Sequence, residues 1–294
     1  MVIKNLVLSG GGPNGLSQFG AIKNLSQDTI DINDIENIYA TSIGTVLSIL
    51  LAIKIDMVDI EEYLIKKNWS KSFLHNTNEI LYLDNEKGLI SHNFIKEILE
   101  CFYNSKDIDI NINFKDLYEI SKKNLHFYSI KLNDYTLTEF SYKTTPDMPV
   151  ILACIASCSL PPIFGPVLYN NEYYIDGGFL NNYPINSCLN STKCKHEEIL
   201  GIRVRGKQAF EYNNIEKDNF ANYLCKITGD LIGKNMTDDF QIDISNNLVI
   251  DTEFETTNIK LWDSFANDIE FRKKLITNGY KLADEFKEKI QQTS

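Results

Sequence analysis

Ser42 and Asp176 are the side chains of this sequence whose surroundings best suit covalent chemistry. Ser42 stands in Ala40-Thr41-Ser42-Ile43-Gly44, directly after an apolar, strand-like run. Asp176 opens Asp176-Gly177-Gly178, directly after Glu172-Tyr173-Tyr174-Ile175. A serine on a sharp strand-to-helix turn projects its hydroxyl on one side and needs small neighbours on the other. That arrangement offers a weak nucleophile to a carbonyl carbon. A carboxylate delivered on a glycine turn can take the proton. A third element, Gly10-Gly11-Gly12-Pro13-Asn14-Gly15, follows the first strand and offers backbone N–H groups to an oxyanion. Nucleophile, base and oxyanion stabiliser are the parts that acyl transfer needs.

Each motif also has a plainer reading. A serine before a helix often only caps it, and Asp-Gly is a common turn pair. Gly10, Gly12 and Gly15 fit G-x-G-x-x-G, the dinucleotide-binding loop. That loop wants an acidic residue at the end of the second strand, but Asp28, Asp31 and Asp34 all precede that strand, and its end carries Ser42 instead. No Gly-Lys-Ser/Thr follows, so a phosphate-binding loop of the Walker type fails as well.

The elements that must position these residues alternate. A strand (5–9), the glycine loop, a helix (16–25), a strand (36–41) and a helix (43–55) begin a parallel sheet flanked by helices. Asp56 is placed to cap a helix with Met57, Ile60, Tyr63, Leu64 and Trp69 on one stripe. Ser91 and Asn113 are placed to cap two more, over 92–103 and through 123. Residues 125–132 and 136–142 read as a hairpin around Asn133-Asp134. Residues 148–158 read as an apolar helix ended by Leu160-Pro161-Pro162. A second hairpin turns at Asn170-Asn171 and leads to Asp176. Strands at 199–205 and 248–252, a helix at 219–234 and one long amphipathic helix over 265–289 complete the chain. With no repeat and no Pro-, Gly- or Ser-rich linker, residues 1–294 are expected to form a single domain, with 68–113 as a helical insertion or cap.

The run Asp176-Gly177-Gly178-Phe179-Leu180-Asn181-Asn182-Tyr183-Pro184 and the earlier Ala156-Ser157-Cys158-Ser159-Leu160-Pro161-Pro162-Ile163-Phe164 carry a resemblance. With the glycine loop and the serine turn, they resemble the patatin-like phospholipase family. That family joins G-G-G-x-R-G, G-x-S-x-G, A-S-x-x-x-P-x-x-F and D-G-[GA]-x-x-x-N-x-P in this order, here over residues 9 to 184. Leu275-Ile276-Thr277-Asn278-Gly279-Tyr280 also resembles its C-terminal helix.

The resemblance implies a three-layer α/β/α fold with a mixed, mostly parallel central sheet. It further implies a lipid acyl hydrolase of phospholipase A or acylglycerol lipase type that works through an acyl-serine and a Ser–Asp dyad. Ser42 is then the nucleophile and Asp176 the general base. The glycine loop (Gly10, Gly11, Gly12, Asn14, Gly15) with Ile43 is the oxyanion site, and Gly11 and Gly12 are its donors. Ala40, Gly44, Gly177, Gly178, Asn182 and Pro184 support the elbow and the turn. Two residues depart from the pattern: Asn14 stands where the family carries arginine, and Ala40 where it carries glycine. A catalytically weak or dead module that binds lipid or a partner is the alternative reading. His75, His92, His126 and His196 lie in segments that read as helix ends or loops, outside any triad context.

Composition agrees with an enzyme of this kind. The 294 residues are 43% hydrophobic and 23% charged, enough for a sizeable core. A net charge of −11 argues against nucleic acid and against a basic patch on anionic lipid. No run is long and apolar enough to span a bilayer. The opening residues do not read as a signal peptide, so a cytoplasmic protein peripheral to membranes is expected. Its partner would be phospholipid or acylglycerol at a lipid interface. Cys101, Cys154, Cys158, Cys188, Cys194 and Cys225 are expected to be free and buried. No metal or other cofactor is implied. Trp69, Phe73 and Leu74 stand close together, either as core of the cap or as an exposed cluster for a lipid interface.

Overall fold

Strands β1 (Asn5–Leu8) and β2 (Asn37–Thr41) are almost wholly buried. They are apolar because they run side by side in a sheet covered on both faces. In the computed structural model, residues 1–70, 87–191, 195–206, 216, 218–235, 244–252 and 256–293 are described. The further strands are β3 (Asn124–Lys131), β4 (Thr136–Ser141), β5 (Val167–Tyr169), β6 (Glu172–Asp176), β7 (Ile199–Gly206) and β8 (Asn247–Thr252). They stand in the order β5-β6-β3-β2-β1-β7-β8, and β4 pairs with β3. Pairs among β3, β2, β1, β7 and β8 are parallel, whereas β4, β6 and β5 join antiparallel.

One strand edge sets up the site. β3 gives one edge first to β2, through Tyr128 opposite Thr41, and then to β6, from Ser129 opposite Asp176. Its other edge is held by β4. The end of β2 and the end of β6 therefore meet along one neighbour.

Helices α1 (Gly15–Leu25), α2 (Ile43–Ala52) and α3 (Met57–Lys66) pack with the sheet's larger core. So do α4 (Asn93–Ser105), α5 (Phe114–Ser121) and α6 (Val150–Cys158). The opposite face is thinner. Val7, Tyr39, Tyr128 and Ile199 there meet Tyr183 and, from α8 (Ile185–Ser191), Ile185 and Cys188. A short α7 (Gly178–Asn181) precedes α8, and α9 (Phe220–Asn235) packs against α7. Three layers with a mixed, mostly parallel sheet are the expected fold. Asp56 and Asn113 cap α3 and α5, accepting from the N–H of Val58 and Asp116.

The C-terminal segment corrects the sequence reading. The long helix expected over 265–289 is two helices, α10 (Ile259–Asn267) and α11 (Ile269–Thr293). Asp268 between them is extended, and its carboxylate caps α11 by accepting from the N–H of Glu270 and Phe271. Continuous amphipathic spacing hid this capping aspartate. Arg272, on the first turns of α11, is 2% exposed. It donates to the carbonyls of Ile65 (2.7 Å) and Lys67 (3.4 Å) at the end of α3. It also donates to those of Phe265 (2.5 Å) and Ala266 (3.3 Å) at the end of α10. These are carbonyls a helix end leaves without partners.

Trp69 is fully buried, donates to the Leu64 carbonyl (3.1 Å) and meets the rings of Tyr63, Phe94 and Phe265. It belongs to the core, and Phe73, Leu74, His75 and Cys194 lie outside the described residues. Cys154, Cys158 and Cys225 are free and buried as expected, and Cys188 is buried. Cys101 is free but exposed, because it falls on the solvent side of α4.

Candidate active site

β2 ends at Thr41, and the next residue turns the chain sharply into α2. Ser42 adopts φ 54° and ψ −128°, a region costly for a residue with a side chain, by roughly 1–3 kcal/mol. Its surroundings hold it there. The Ser42 N–H donates to Ser157 Oγ (2.9 Å), and that hydroxyl donates to the Tyr128 carbonyl (2.6 Å). The Ser42 carbonyl accepts from the N–H and hydroxyl of Thr45. Ala40 is fully buried within β2. Gly44 lets α2 lie against β1, because a Cβ there would stand 2.9 Å from both Cβ and O of Leu8.

Asp176 is the last residue of β6 and is 2% exposed. Its N–H donates to the Ser159 carbonyl (2.9 Å), which fixes its backbone. Its carboxylate accepts from the Gly178 N–H (2.7 Å) and shares a pocket with Ser42, whose hydroxyl favours the ionised form. Burial pushes the carboxyl up from 3.8 to about 7, against the opposing pull of the Ser42 hydroxyl and the Gly178 N–H. The structure therefore brings together the two side chains singled out in the sequence. It also gives the carboxylate far more basicity than an aspartate has in water.

The glycine loop borders Ser42. Gly10 donates its N–H to the Asn182 carbonyl (3.0 Å), so that N–H is occupied. Asn182 thereby ties the Asp176 turn to the loop, while the neighbouring Asn181 carbonyl accepts from the Thr41 hydroxyl (2.8 Å). Gly12 has φ 52° and starts a single helical turn that runs into α1 at Gly15. Among the described residues, the N–H groups of Gly11, Gly12 and Ile43 donate to no acceptor. Asn14 is 2% exposed beneath the loop, and its Nδ2 has no partner among the described residues. Gly177 and Gly178 follow Asp176 into α7, and Pro184 precedes α8, its carbonyl accepting from the Cys188 N–H (3.1 Å).

Two pockets meet at Ser42. One is almost wholly apolar and runs between α2, α4 and α10, with Leu47, Leu50, Ile98, Phe164, Trp262 and Phe265 among its walls. The other is more polar. It contains Gly10, Gly11 and Asp176 and is also lined by Val204, Ile232 and Thr257. Sequence reasoning gave no role to Ser157 or to these later walls. Ser157 stood in a quoted motif, and its hydrogen bond to Ser42 spans 115 positions. Trp262 and Phe265 read simply as the apolar stripe of a helix.

The described histidines serve elsewhere. His92 Nε2 lies 2.9 Å from the Gly165 carbonyl and 3.2 Å from Ser159 Oγ, and its ring stacks with Phe164. His126 corrects the sequence reading. It is buried within β3 rather than at a helix end or loop, stacked on Tyr39 (4.3 Å) and bonded through Nδ1 to Glu139 (2.8 Å). His196 lies exposed in a single helical turn.

Comparison with known proteins follows the same stretch of chain. The profile of the family described as patatin-like phospholipase matches residues 6–189. The chain is 35% identical over 188 residues to a protein of Invertebrate iridescent virus 6 named probable lipid hydrolase 463L. That match covers 63% of this chain and 63% of the relative. An uncharacterized protein of Acanthamoeba polyphaga mimivirus is 31% identical over 183 residues, covering 62% of this chain and 60% of the relative. The matches thus span less than two thirds of either relative. Among solved structures, VipD from Legionella pneumophila superposes with a TM-score of 0.58 at 20% identity, covering 97% of this chain and 67% of that one. A chain of the heterodimeric ExoU–SpcU complex of the Pseudomonas aeruginosa type III secretion system superposes with a TM-score of 0.52 at 14% identity, covering 98% and 52%. These two likenesses concern the fold alone.

Proposed function

This chain belongs to the patatin-like phospholipase family, and on that premise we propose that it hydrolyses carboxylic esters of lipids through an acyl-Ser42 intermediate. The observation that carries the reading is the buried Asp176 carboxylate, which lines one pocket with Ser42 and is raised to about 7. A general base works best when its pKa lies near the working pH.

The steps follow from the geometry. Ser42 Oγ attacks the ester carbon while Asp176 takes the hydroxyl proton. The carbonyl oxygen gains negative charge and is received by the N–H groups of Gly11 and Gly12, with Ile43 beside them. The tetrahedral species collapses, the bond to the alcohol oxygen breaks, and Asp176 returns its proton to that oxygen. Water, deprotonated by the same carboxylate, then attacks the acyl-serine; the bond to Ser42 Oγ breaks, Asp176 returns the proton to that oxygen, and the fatty acid leaves. The apolar pocket suits the acyl chain, and the polar pocket lies where the alcohol departs. Asn182 and Pro184 hold the turn. Ala40 and Gly44 leave room for the elbow. The substrate is a glycerophospholipid or acylglycerol met at a lipid interface, and the protein acts at the membrane periphery. Among the described residues no helix is long and apolar enough to cross a membrane.

A fluorophosphonate tests the reading. Intact-mass and peptide analysis should place a single adduct on Ser42, slowed strongly in Asp176→Asn and absent in Ser42→Ala. Labelling at another serine, or none on the wild type, would overturn it.

A further inference from the structure

The polar pocket contains a group that the reaction has not used. Thr257 lines it, is 1% exposed, and its Oγ1 has no hydrogen-bond partner among the described residues. A buried hydroxyl left unpaired is unfavourable, and such groups are uncommon. The backbone around it is held in place. The neighbouring Thr256 carbonyl accepts from Trp262 Nε1 (2.7 Å), and the Thr256 methyl packs close to Gly12. The unpaired hydroxyl is therefore a fixed feature of the pocket that Ser42 and Asp176 also line. α9 contributes Gly229 and Gly233 to the same pocket, and a Cβ on Gly233 would meet nothing within 4 Å. Among the described residues lining this pocket, Asp176 is the one charged side chain.

We propose that this pocket receives the alcohol half of the ester and that Thr257 Oγ1 hydrogen-bonds a glycerol hydroxyl there. Thr257 is thus a specificity residue for uncharged acylglycerols. A hydroxyl-bearing alcohol pairs with Thr257 and with the carboxylate that must reprotonate it. A phosphate on the same glycerol would instead be pressed toward that carboxylate. The proposal rests on the reading of Ser42 and Asp176 as the reacting pair.

The test uses the full chain, mixed micelles of a neutral detergent, and two single-chain lipids that share an acyl group. These are monooleoylglycerol and oleoyl lysophosphatidylcholine, with p-nitrophenyl butyrate as an ester lacking glycerol. Wild-type kcat/KM should favour monooleoylglycerol over the lysophospholipid by about tenfold or more. Thr257→Val should lower the monooleoylglycerol-to-nitrophenyl ratio of kcat/KM about tenfold, mainly through KM, with a melting temperature no lower than wild type. Thr257→Ser should restore the ratio. Equal loss on both esters, an unchanged ratio, or faster turnover of the lysophospholipid would overturn the proposal while leaving the reacting pair intact. Failure of the wild type on every ester, with no fluorophosphonate label on Ser42, would overturn the pair and the proposal together.

Discussion

Asp176 faces Ser129 one position along β3 from the point where Thr41 faces Tyr128. Ser42 and Asp176 are thus set side by side by the register of a strand to which neither belongs. Strand pairing is also directional. A one-residue slip of β6 would turn Asp176 to the other face of the sheet. The Ser129 hydroxyl, which donates to the Ile175 carbonyl (2.6 Å), and the Asp176 N–H, which donates to Ser159, both resist such a slip.

The pair should behave as a unit. Ser42→Ala and Asp176→Asn are each expected to lower turnover of p-nitrophenyl butyrate by about a thousandfold or more, and the double variant should be little worse than either. Steady-state kinetics on the three proteins checks this. His196→Ala should keep most of the activity, since His196 lies exposed in a turn and outside both pockets. Near-full turnover in Asp176→Asn would remove the carboxylate from the mechanism.

Activity and stability should respond to pH in opposite senses. In the proposed mechanism the base is the ionised form of Asp176, so kcat/KM should rise about tenfold per unit below pH 7 and level off above it. Stability runs the other way, because the folded chain holds this proton more tightly than the unfolded chain does. That contribution is complete below pH 3.8 and is lost as pH rises through about 7. Asp176→Asn has no such proton to lose. Its melting temperature relative to wild type should therefore be higher at pH 8 than at pH 5, as read by circular dichroism.

Gly44→Ala should damage the elbow. The added methyl meets the Cβ and carbonyl of Leu8 at 2.9 Å and the Ser9 carbonyl at 3.0 Å, and backbone cannot turn aside as a side chain can. A loss of about 1–3 kcal/mol in urea unfolding is expected, together with reduced fluorophosphonate labelling of Ser42.

Chain-length preference should follow the apolar pocket. Leu47 is 5% exposed and lies on its α2 wall. Leu47→Phe should lower kcat/KM for a decanoyl nitrophenyl ester about tenfold relative to the butyryl ester, because the longer chain loses space that the shorter one does not use. A parallel drop on both esters would place the acyl chain elsewhere.

Much of this architecture was legible because it is written locally. Asp56 and Asn113 cap the helices that follow them, and the turns at Asn133-Asp134 and Asn170-Asn171 join the hairpins expected of them. Ser42, Asp176 and the glycine loop stood in short motifs, each next to its own strand. What escaped was set by distant partners. The break at Asp268 lies inside an unbroken apolar stripe, and it serves to place Arg272 among carbonyls some 200 positions away. His126 sits beside Tyr39, 87 positions earlier in the chain, so its burial has no local sign. Val204, Thr257 and Trp262 border the pockets, yet all three follow the stretch matched by the family profile.

The buried guanidinium of Arg272 has a mechanical consequence. It joins the ends of α3 and α10, and Leu64 and Phe265 from those two helices both face the apolar pocket. Widening the pocket on that side means sliding one helix past the other, which would strip carbonyls from a cation that has little water to replace them. That wall behaves as a rivet rather than a hinge, and a bulkier chain must find its clearance on the side of α4.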